Sequence, residues 1–379
     1  MAKYKLAELC EFITDGTHQT PEYCDDGVIF LSSKDVTERK INWDDVRYIT
    51  EELHEKLYKR LSPRKNDILL AKNGTTGVAA IVDRDEIFDV YVSLAVLRPL
   101  ETIYPKYLLY AINSSVAKSQ FNAGLKGIGV PNLHLGVIRE TIVNVIQRDE
   151  QEKVCEILDG VATLIEKRKT EIDMLDDLIK ARFVEMFVDR DYPLIVLDEL
   201  ALGKGEYGAQ SASIDYNSSR PRYVRITDIN DDGTLNDDLV SSANVEDDKQ
   251  YKLSYGDFMF ARMGATVGKT YAYKSGNQIF AGYLIRYRLN LEKIMPEYLY
   301  AYTKLDEYRN WVLLNQSGAA QPGINAKKYG SLRVPVAPLK EQKAFVEFVN
   351  QVDKSKVAVQ KALEETQLLF DSLMQQYFG

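Results

Sequence analysis

The chain is poor in the residues that carry most enzyme chemistry. Three histidines (His18, His54, His134) and three cysteines (Cys10, Cys24, Cys155) are scattered through 379 residues. An odd, unspaced cysteine set gives neither a disulfide framework nor a zinc site, and it fits a reducing, cytoplasmic compartment. The histidines share no metal-ligand spacing with one another or with the cysteines, and no Ser-His-Asp arrangement can be built from them. No apolar run approaches the ~18 residues that a membrane span requires. The opening Met-Ala-Lys-Tyr-Lys runs straight into a folded-looking segment, which argues against a signal peptide.

Catalytic signatures are missing too. There is no Asn/Asp-Pro-Pro-aromatic tetrapeptide of a methyltransferase, no glycine-rich adenosylmethionine loop after a first strand, and no nuclease carboxylate-lysine constellation that repeats. Gly264-Ala-Thr-Val-Gly-Lys-Thr270 imitates a phosphate-binding loop. The true motif places four residues between its glycines so that successive N–H groups wrap a phosphate. Here there are three, Met263 stands where the first glycine belongs, and the equivalent Gly74-Thr-Thr-Gly-Val78 has no lysine. A strand-end turn is the better reading, and the chain reads as non-catalytic, with no cofactor or metal of its own.

What is present is length and repetition. Residues 149–187 contain no proline and one glycine, Gly160. Leu158, Ile165, Ile172, Ile179 and Met186 recur every seventh residue, and Val154, Val161 and Leu175 occupy the partner position, interrupted by Arg168 and Arg182. A heptad with two apolar positions predicts a helix that pairs as a coiled coil. Its ~37 residues would extend about 55 Å at about 1.5 Å per residue. The same pattern returns 191 residues later at 340–378, with a seam of Phe345, Val349, Val352, Val359, Leu363, Phe370, Leu373 and Tyr377, interrupted by Lys356 and Thr366. Arg168 and Arg182 are expected to pair with acids of that second helix.

The segments before the helices repeat as well. In residues 1–148, Leu6–Leu9 reads as a short strand or turn, and Thr14 to Pro21 as a loop. Val28 to Ser33, Ile68 to Ala71, Val78 to Val82, Val90 to Leu97 and Thr141 to Ile146 read as strands, and Pro105 to Asn113 as a helix with proline near its start. Residues 188–339 replay this order: Asp257 to Gly268 answers Asp67 to Gly77, Pro296-Glu-Tyr-Leu answers Pro105-Lys-Tyr-Leu, and Pro322 answers Pro131. The fold class is therefore α/β (α+β), an internal duplication with a period near 191. The expected parts are a domain at 1–148, a long helix at 149–187, a second domain at 188–339 and a second long helix at 340–379, the two helices pairing antiparallel. The loops 11–27 and 201–220, and 35–62 and 230–252, differ between the halves.

Net charge is −8, but the two long helices hold most of it; residues 1–148 and 188–339 are each −1. Each domain carries both signs, so a basic face is possible on either. Candidate cations are Lys56, Lys59, Arg60, Arg64, Lys65 and Lys72 in the first domain, and Arg220, Arg222, Arg225, Arg262, Lys269, Lys274, Arg286 and Arg288 in the second, with Tyr207, Tyr223, Tyr271 and Tyr273 among them. Arginine and lysine position a protein on phosphates, and arginine reads guanine edges.

On these residues the chain resembles the specificity (S) subunits of type I restriction-modification systems. The likeness rests on the Asp-Ile-Leu-Leu-Ala-Lys-x-Gly-Thr-x-Gly run 67–77 and its echo 257–268, on the segments ending at Pro131 and Pro322, on Val334-Pro-Val-Ala-Pro-Leu-Lys-Glu-Gln342, and on the long helices that follow. The first half keeps only Glu150-Gln151 of the last motif. The resemblance implies two target recognition domains, each reading half of a split, asymmetric site on double-stranded DNA. It implies two methylation subunits and restriction subunits as partners, which would bind S-adenosylmethionine, ATP and magnesium. Lys72, Thr75, Arg262, Thr266 and Lys269, at the turn after the shared strand, are the expected DNA-facing residues. Val154, Leu158, Val161, Ile165, Ile172, Ile179, Phe345, Val349, Val352, Leu363 and Phe370 are the expected helix-packing residues. A non-DNA-binding scaffold for two copies of one protein is the alternative.

Inserting one heptad in both long helices should change the gap between the half-sites and leave the bases read unchanged, as checked by sequencing modified bases. Changed bases with a constant gap would sink the idea that the helices act as a ruler.

Overall fold

The computed structural model describes residues 1–37, 39–125, 132–188, 190–318 and 322–379. Most of the segment that ends at Pro131, residues 126–131, lies outside them. The chain divides into two compact units: residues 1–169 with 361–379, and residues 170–360.

The two units share one plan. In the first, the strands Cys10–Asp15, Leu94–Pro99, Ile68–Ala71 and Ala79–Ile81 form an antiparallel four-stranded sheet in that order. In the second, Glu206–Tyr207, Leu284–Arg288, Asp257–Ala261 and Thr270–Ala272 do the same. A parallel pair accompanies each sheet: Val28–Leu31 with Phe88–Val90, and Arg222–Val224 with Gln278–Phe280. The stretch expected as one strand, Val90 to Leu97, is two. A turn at 91–93, closed by Leu94 N–H donating to Tyr91 O at 2.9 Å, sends its halves to different sheets. Leu6–Leu9 is a helical turn, with Leu6 and Leu9 buried, and Leu197–Leu200 matches it.

Glycine is forced where the chain passes close to the parallel pair. A Cβ on Gly16 would lie 1.8 Å from Val90 O, and one on Gly208 would lie 2.3 Å from Ala281 O. Both positions therefore exclude any side chain, which lets Thr17 N–H reach Val90 O and Ala209 N–H reach Phe280 O.

The long helices run Arg148–Phe183, followed by a π-helical turn Val184–Val188, and Leu339–Phe378. Each begins with a buried glutamine. Gln151 accepts from Tyr104 N–H at 2.7 Å and donates to Ile146 O at 3.0 Å. Its counterpart Gln342 accepts from Met295 N–H at 2.9 Å and donates to Lys293 O and Ala337 O. Both side chains thereby satisfy main-chain groups of the loop before the proline-led helix and of the exit from the last strand.

Within the first unit, Val154, Leu158, Val161 and Ile165 are buried in one cluster with Phe370 and Phe378, with Leu363 half-buried against it. Within the second, Phe183 and Phe187 pack on Phe345 at 5.4 and 5.6 Å, with Ile179 and Val349 half-buried beside them. Val352 is buried and Ile172 half-buried. In both units one residue number rises as its partner's falls, so the helical segments run antiparallel.

The helix ends dock in the same way. Phe378 packs on Tyr107 and Phe187 on Tyr298, both at 4.9 Å between ring centres. Each tyrosine donates its hydroxyl to a strand carbonyl, Asn144 O or Pro335 O. Each domain thus receives the end of the helix that follows the other domain.

The two seam arginines do not pair with acids of the second helix. Arg168 donates to the carbonyl of Ala362, and Arg182 pairs with Glu185 of its own helix and lies over the Phe348 ring. A cross-helix ion pair joins Lys356 with Asp176 instead, at 2.6 Å. Arg168 takes a carbonyl of the facing main chain, and Arg182 takes the acid one turn along its own helix, three residues away.

Gln151→Ala and Gln342→Ala should each lower stability by about 2–3 kcal/mol, because buried amide and carbonyl groups lose their partner. Urea unfolding midpoints check this, and unchanged midpoints in both variants would remove the glutamines from the account.

Candidate nucleic-acid interface

The shared strand of each central sheet ends in a turn that two glycines close. Gly74 and Gly77 have φ of 74° and 84°, and Gly264 and Gly268 have 74° and 89°. Gly77 N–H donates to Ala71 O and Gly268 N–H to Ala261 O. Val78 donates to Thr75 O, Val267 to Gly264 O and Lys269 to Thr266 O. These amides are spent inside the turn and are not offered to a phosphate.

Lys72 and Arg262 hold the same backbone position at the start of these turns. Lys72 N–H donates to Ser93 O and Arg262 N–H to Tyr283 O; Leu133 N–H and Ile324 N–H donate back to their carbonyls. The side chains part company. Lys72 is only 6% exposed, and its ammonium sits 2.5 Å from the Asp15 carboxylate, which is 8% exposed. Its charge is neutralised inside the domain. Asp15 pairs across the sheet with Ala95, and Tyr207 pairs with Ile285 at the matching place in the second domain. There Arg262 lies over the Tyr207 ring at 4.9 Å and near the Tyr283 ring at 5.9 Å, and its Nε donates to Gly282 O at 3.1 Å.

The other expected DNA-facing groups hold local partners. Thr75 donates to Val36 O at 3.3 Å and Thr266 to Met263 O at 3.3 Å. Lys269 pairs with Asp231 at 2.7 Å. Beside Lys72, a cleft of about 520 Å³ is lined by Asp15, His18, Asn73, Asn132 and His134. The side-chain oxygens of Asn73 and Asn132 are buried without a hydrogen-bond partner among the described residues.

The model of the "type I restriction modification DNA specificity domain" matches the chain twice, at residues 1–174 and 203–367. The chain belongs to that family. It is similar to the StySPI type I restriction enzyme specificity subunit of Salmonella potsdam, 20% identical over 93% of this chain and 82% of that one. It is also similar to the MjaVIII specificity subunit of Methanocaldococcus jannaschii, 25% identical over 45% of this chain and only 42% of that relative's length. Two solved structures share the fold: a chain of a type I restriction-modification system (TM-score 0.59, 17% identity, 99% of this chain and 97% of that one) and the S subunit from M. genitalium (TM-score 0.55, 14% identity, 100% and 96%). The family match disfavours the scaffold reading, and a specificity subunit is not the catalytic component of its system.

Within this type I specificity-family chain, most of the remaining candidate cations are also committed. Arg222 pairs with Asp237, Arg225 with Asp228 and Lys65 with Asp85. Arg286 is 1% exposed between Glu206 and Asp257, a structural residue that cannot face a ligand; Arg288 pairs with Glu206 as well. Arg60 donates to Asp15 O, Arg64 lies 3.8 Å from Glu11, Lys56 pairs with Glu52, and Arg220 donates to Ala243 O. Lys59 and Lys274 are exposed. Tyr223 and Tyr271 are buried, so of the four tyrosines singled out in sequence Tyr207 is the exposed one, and Tyr273 is half-buried. Tyr283 and Asp15 escaped the sequence reading. Tyr283 becomes visible when the shared-strand runs are aligned at an offset of 190, which sets it against Ser93, and Asp15 when the preceding segments are aligned at 192, which sets it against Tyr207.

Burial pushes the thiols of Cys10 and Cys155 up to about 12, which leaves neither a nucleophile at neutral pH. Burial also lowers the Lys304 amine to about 8, against the pull of Asp232 and Asp231; it donates to Asp231 O and lies over the Tyr300 ring, a structural contact. Among the described residues no group of three His, Cys, Asp or Glu could hold a metal ion, and no helix is long and apolar enough to cross a membrane.

Lys72→Met should destabilise the first unit by about 3–5 kcal/mol, since it strands a buried carboxylate, and Asp15→Asn in the same chain should restore much of that. A double-mutant cycle in urea reads it. Additive losses would mean that the pair is not a unit.

Proposed function

We propose that this chain is the sequence-reading subunit of a type I restriction-modification complex, with residues 1–148 and 188–339 as two target recognition domains on double-stranded DNA. The carrying observation is that one plan of sheet, parallel pair, strand-end turn and helix occurs twice, while the side chains at the matching turn differ: Lys72 against Asp15 in one copy, Arg262 against Tyr207 in the other. Equal frames suit two equivalent partner subunits. Unequal surfaces suit two different half-sites, and therefore an asymmetric bipartite site.

The long helices, 149–187 and 340–379, are the spacer in this reading. Unbroken helices of 36 and 40 residues support it. A rod of about 55 Å corresponds to roughly 1.5 turns of B-DNA at ~34–36 Å per turn. Two methylation subunits and the restriction subunits complete the complex in the cytoplasm, and S-adenosylmethionine, ATP and magnesium belong to them. Arg262 leads the DNA-facing group, with Thr75, Thr266, Lys269 and the Lys72 cleft bordering the same turns. Phosphate contacts supply most of the affinity, which falls as salt rises.

Co-expression with the methylation subunit, followed by modified-base sequencing of host DNA, tests this. The expected result is a methylated two-part motif with a constant gap that disappears when this chain is omitted. An assembled complex that yields no such motif would refute the assignment.

A further inference from the structure

Arg262 differs from most of the candidate arginines of its domain. Arg222, Arg225, Arg286 and Arg288 each spend their guanidinium on a carboxylate. Arg262 spends only Nε, on Gly282 O, and among the described residues nothing takes up Nη1 or Nη2. Its position is fixed three further times. The backbone N–H is bonded to Tyr283 O, the backbone carbonyl accepts from Ile324 N–H, and the guanidinium lies against the Tyr207 and Tyr283 rings. Those rings are 42% and 53% exposed, while Arg262 itself is half-buried.

A guanidinium held by Nε and by aromatic faces has a set plane and a set direction. Its two remaining nitrogens form a fork that loses little entropy on binding. Two partners match such a fork: the O6 and N7 acceptors on the major-groove edge of guanine, and a pair of phosphate oxygens. Phosphate attraction is a sum over several mobile cations. Here Lys269, on the same strand-end turn, is committed to Asp231. A single oriented fork between two tyrosines favours the directional partner.

We propose that Arg262 reads a guanine in the half-site taken by the 188–339 domain, with Tyr207 and Tyr283 as the residues that position it. The proposal rests on the DNA-recognition reading above. The first domain has no counterpart, because Lys72 is buried against Asp15 at the matching place, so the guanine requirement belongs to one half of the site.

The test is modified-base sequencing with the co-expressed complex carrying Arg262→Gln or Arg262→Lys. Lysine keeps the charge and lacks the fork, so it separates reading from charge and preserves the fold if glutamine does not. Both variants should relax the preference for guanine at one position by about ten- to a hundredfold. The other positions of that half, the whole other half and the gap should be unchanged. A phosphate contact gives a different result: every position retained, methylation lowered uniformly by Arg262→Gln, and little effect of Arg262→Lys. That outcome overturns the proposal, as does an unaltered motif in Arg262→Lys. Failure of the unsubstituted complex to give any motif would instead refute the DNA-recognition reading itself.

Discussion

A buried glutamine at the start of each long helix ties the rest of the structure together. A helix of 36 or 40 residues can aim anywhere unless its first turn is fixed to the sheet that precedes it. Gln151 and Gln342 do this by binding main-chain groups of the loop before the proline-led helix, Pro105–Ile112 or Pro296–Tyr302, and of the last strand's exit. Each main-chain group they satisfy would otherwise be buried without a partner, at a cost of about 1–3 kcal/mol. The glutamine is therefore geometric in its effect, because it sets the direction in which the apolar seam leaves the domain.

The seam is strongest near its ends. Phe378 and Phe187 fill the same place beside Tyr107 and Tyr298, where the large aromatic areas lie. Between the ends, Ile172, Ile179, Val349 and Leu363 are only half-buried, and polar groups interrupt the repeat. Arg168 and Thr366 meet that interruption by bonding the same backbone carbonyl, Ala362 O. The other two interruptions are met by charge: Lys356 pairs with Asp176 across the helices and Arg182 with Glu185 of its own helix.

The domains repeat in backbone and diverge in charge. Gly16 with Gly208, Gly77 with Gly268 and Asp67 with Asp257 hold the same bends with the same hydrogen bonds. On that common frame, one strand-end turn buries an ammonium on a carboxylate and the other lays a guanidinium on two rings. The frame tolerates this because the backbone partners of Lys72 and Arg262 are main-chain atoms, which do not change when the side chain does.

The duplication, the heptads and the proline-led helices were legible in the sequence because each is a periodic or local property. The strand Ile68–Ala71 and the helix Arg148–Phe183 need nothing beyond their own neighbours to be recognised. Which cations are free was not legible. Lys72 and Arg262 look alike in the sequence, at the same step of the same motif. Their difference comes from Asp15 and Tyr207, which only sheet register brings alongside. The split of Val90 to Leu97 between two sheets is of the same kind. The sequence by itself determined that two like domains are each followed by a long helix. Tertiary structure decided which charges are spent inside the fold and which face outward, because a side chain's partner is set by strand pairing between residues far apart in the chain.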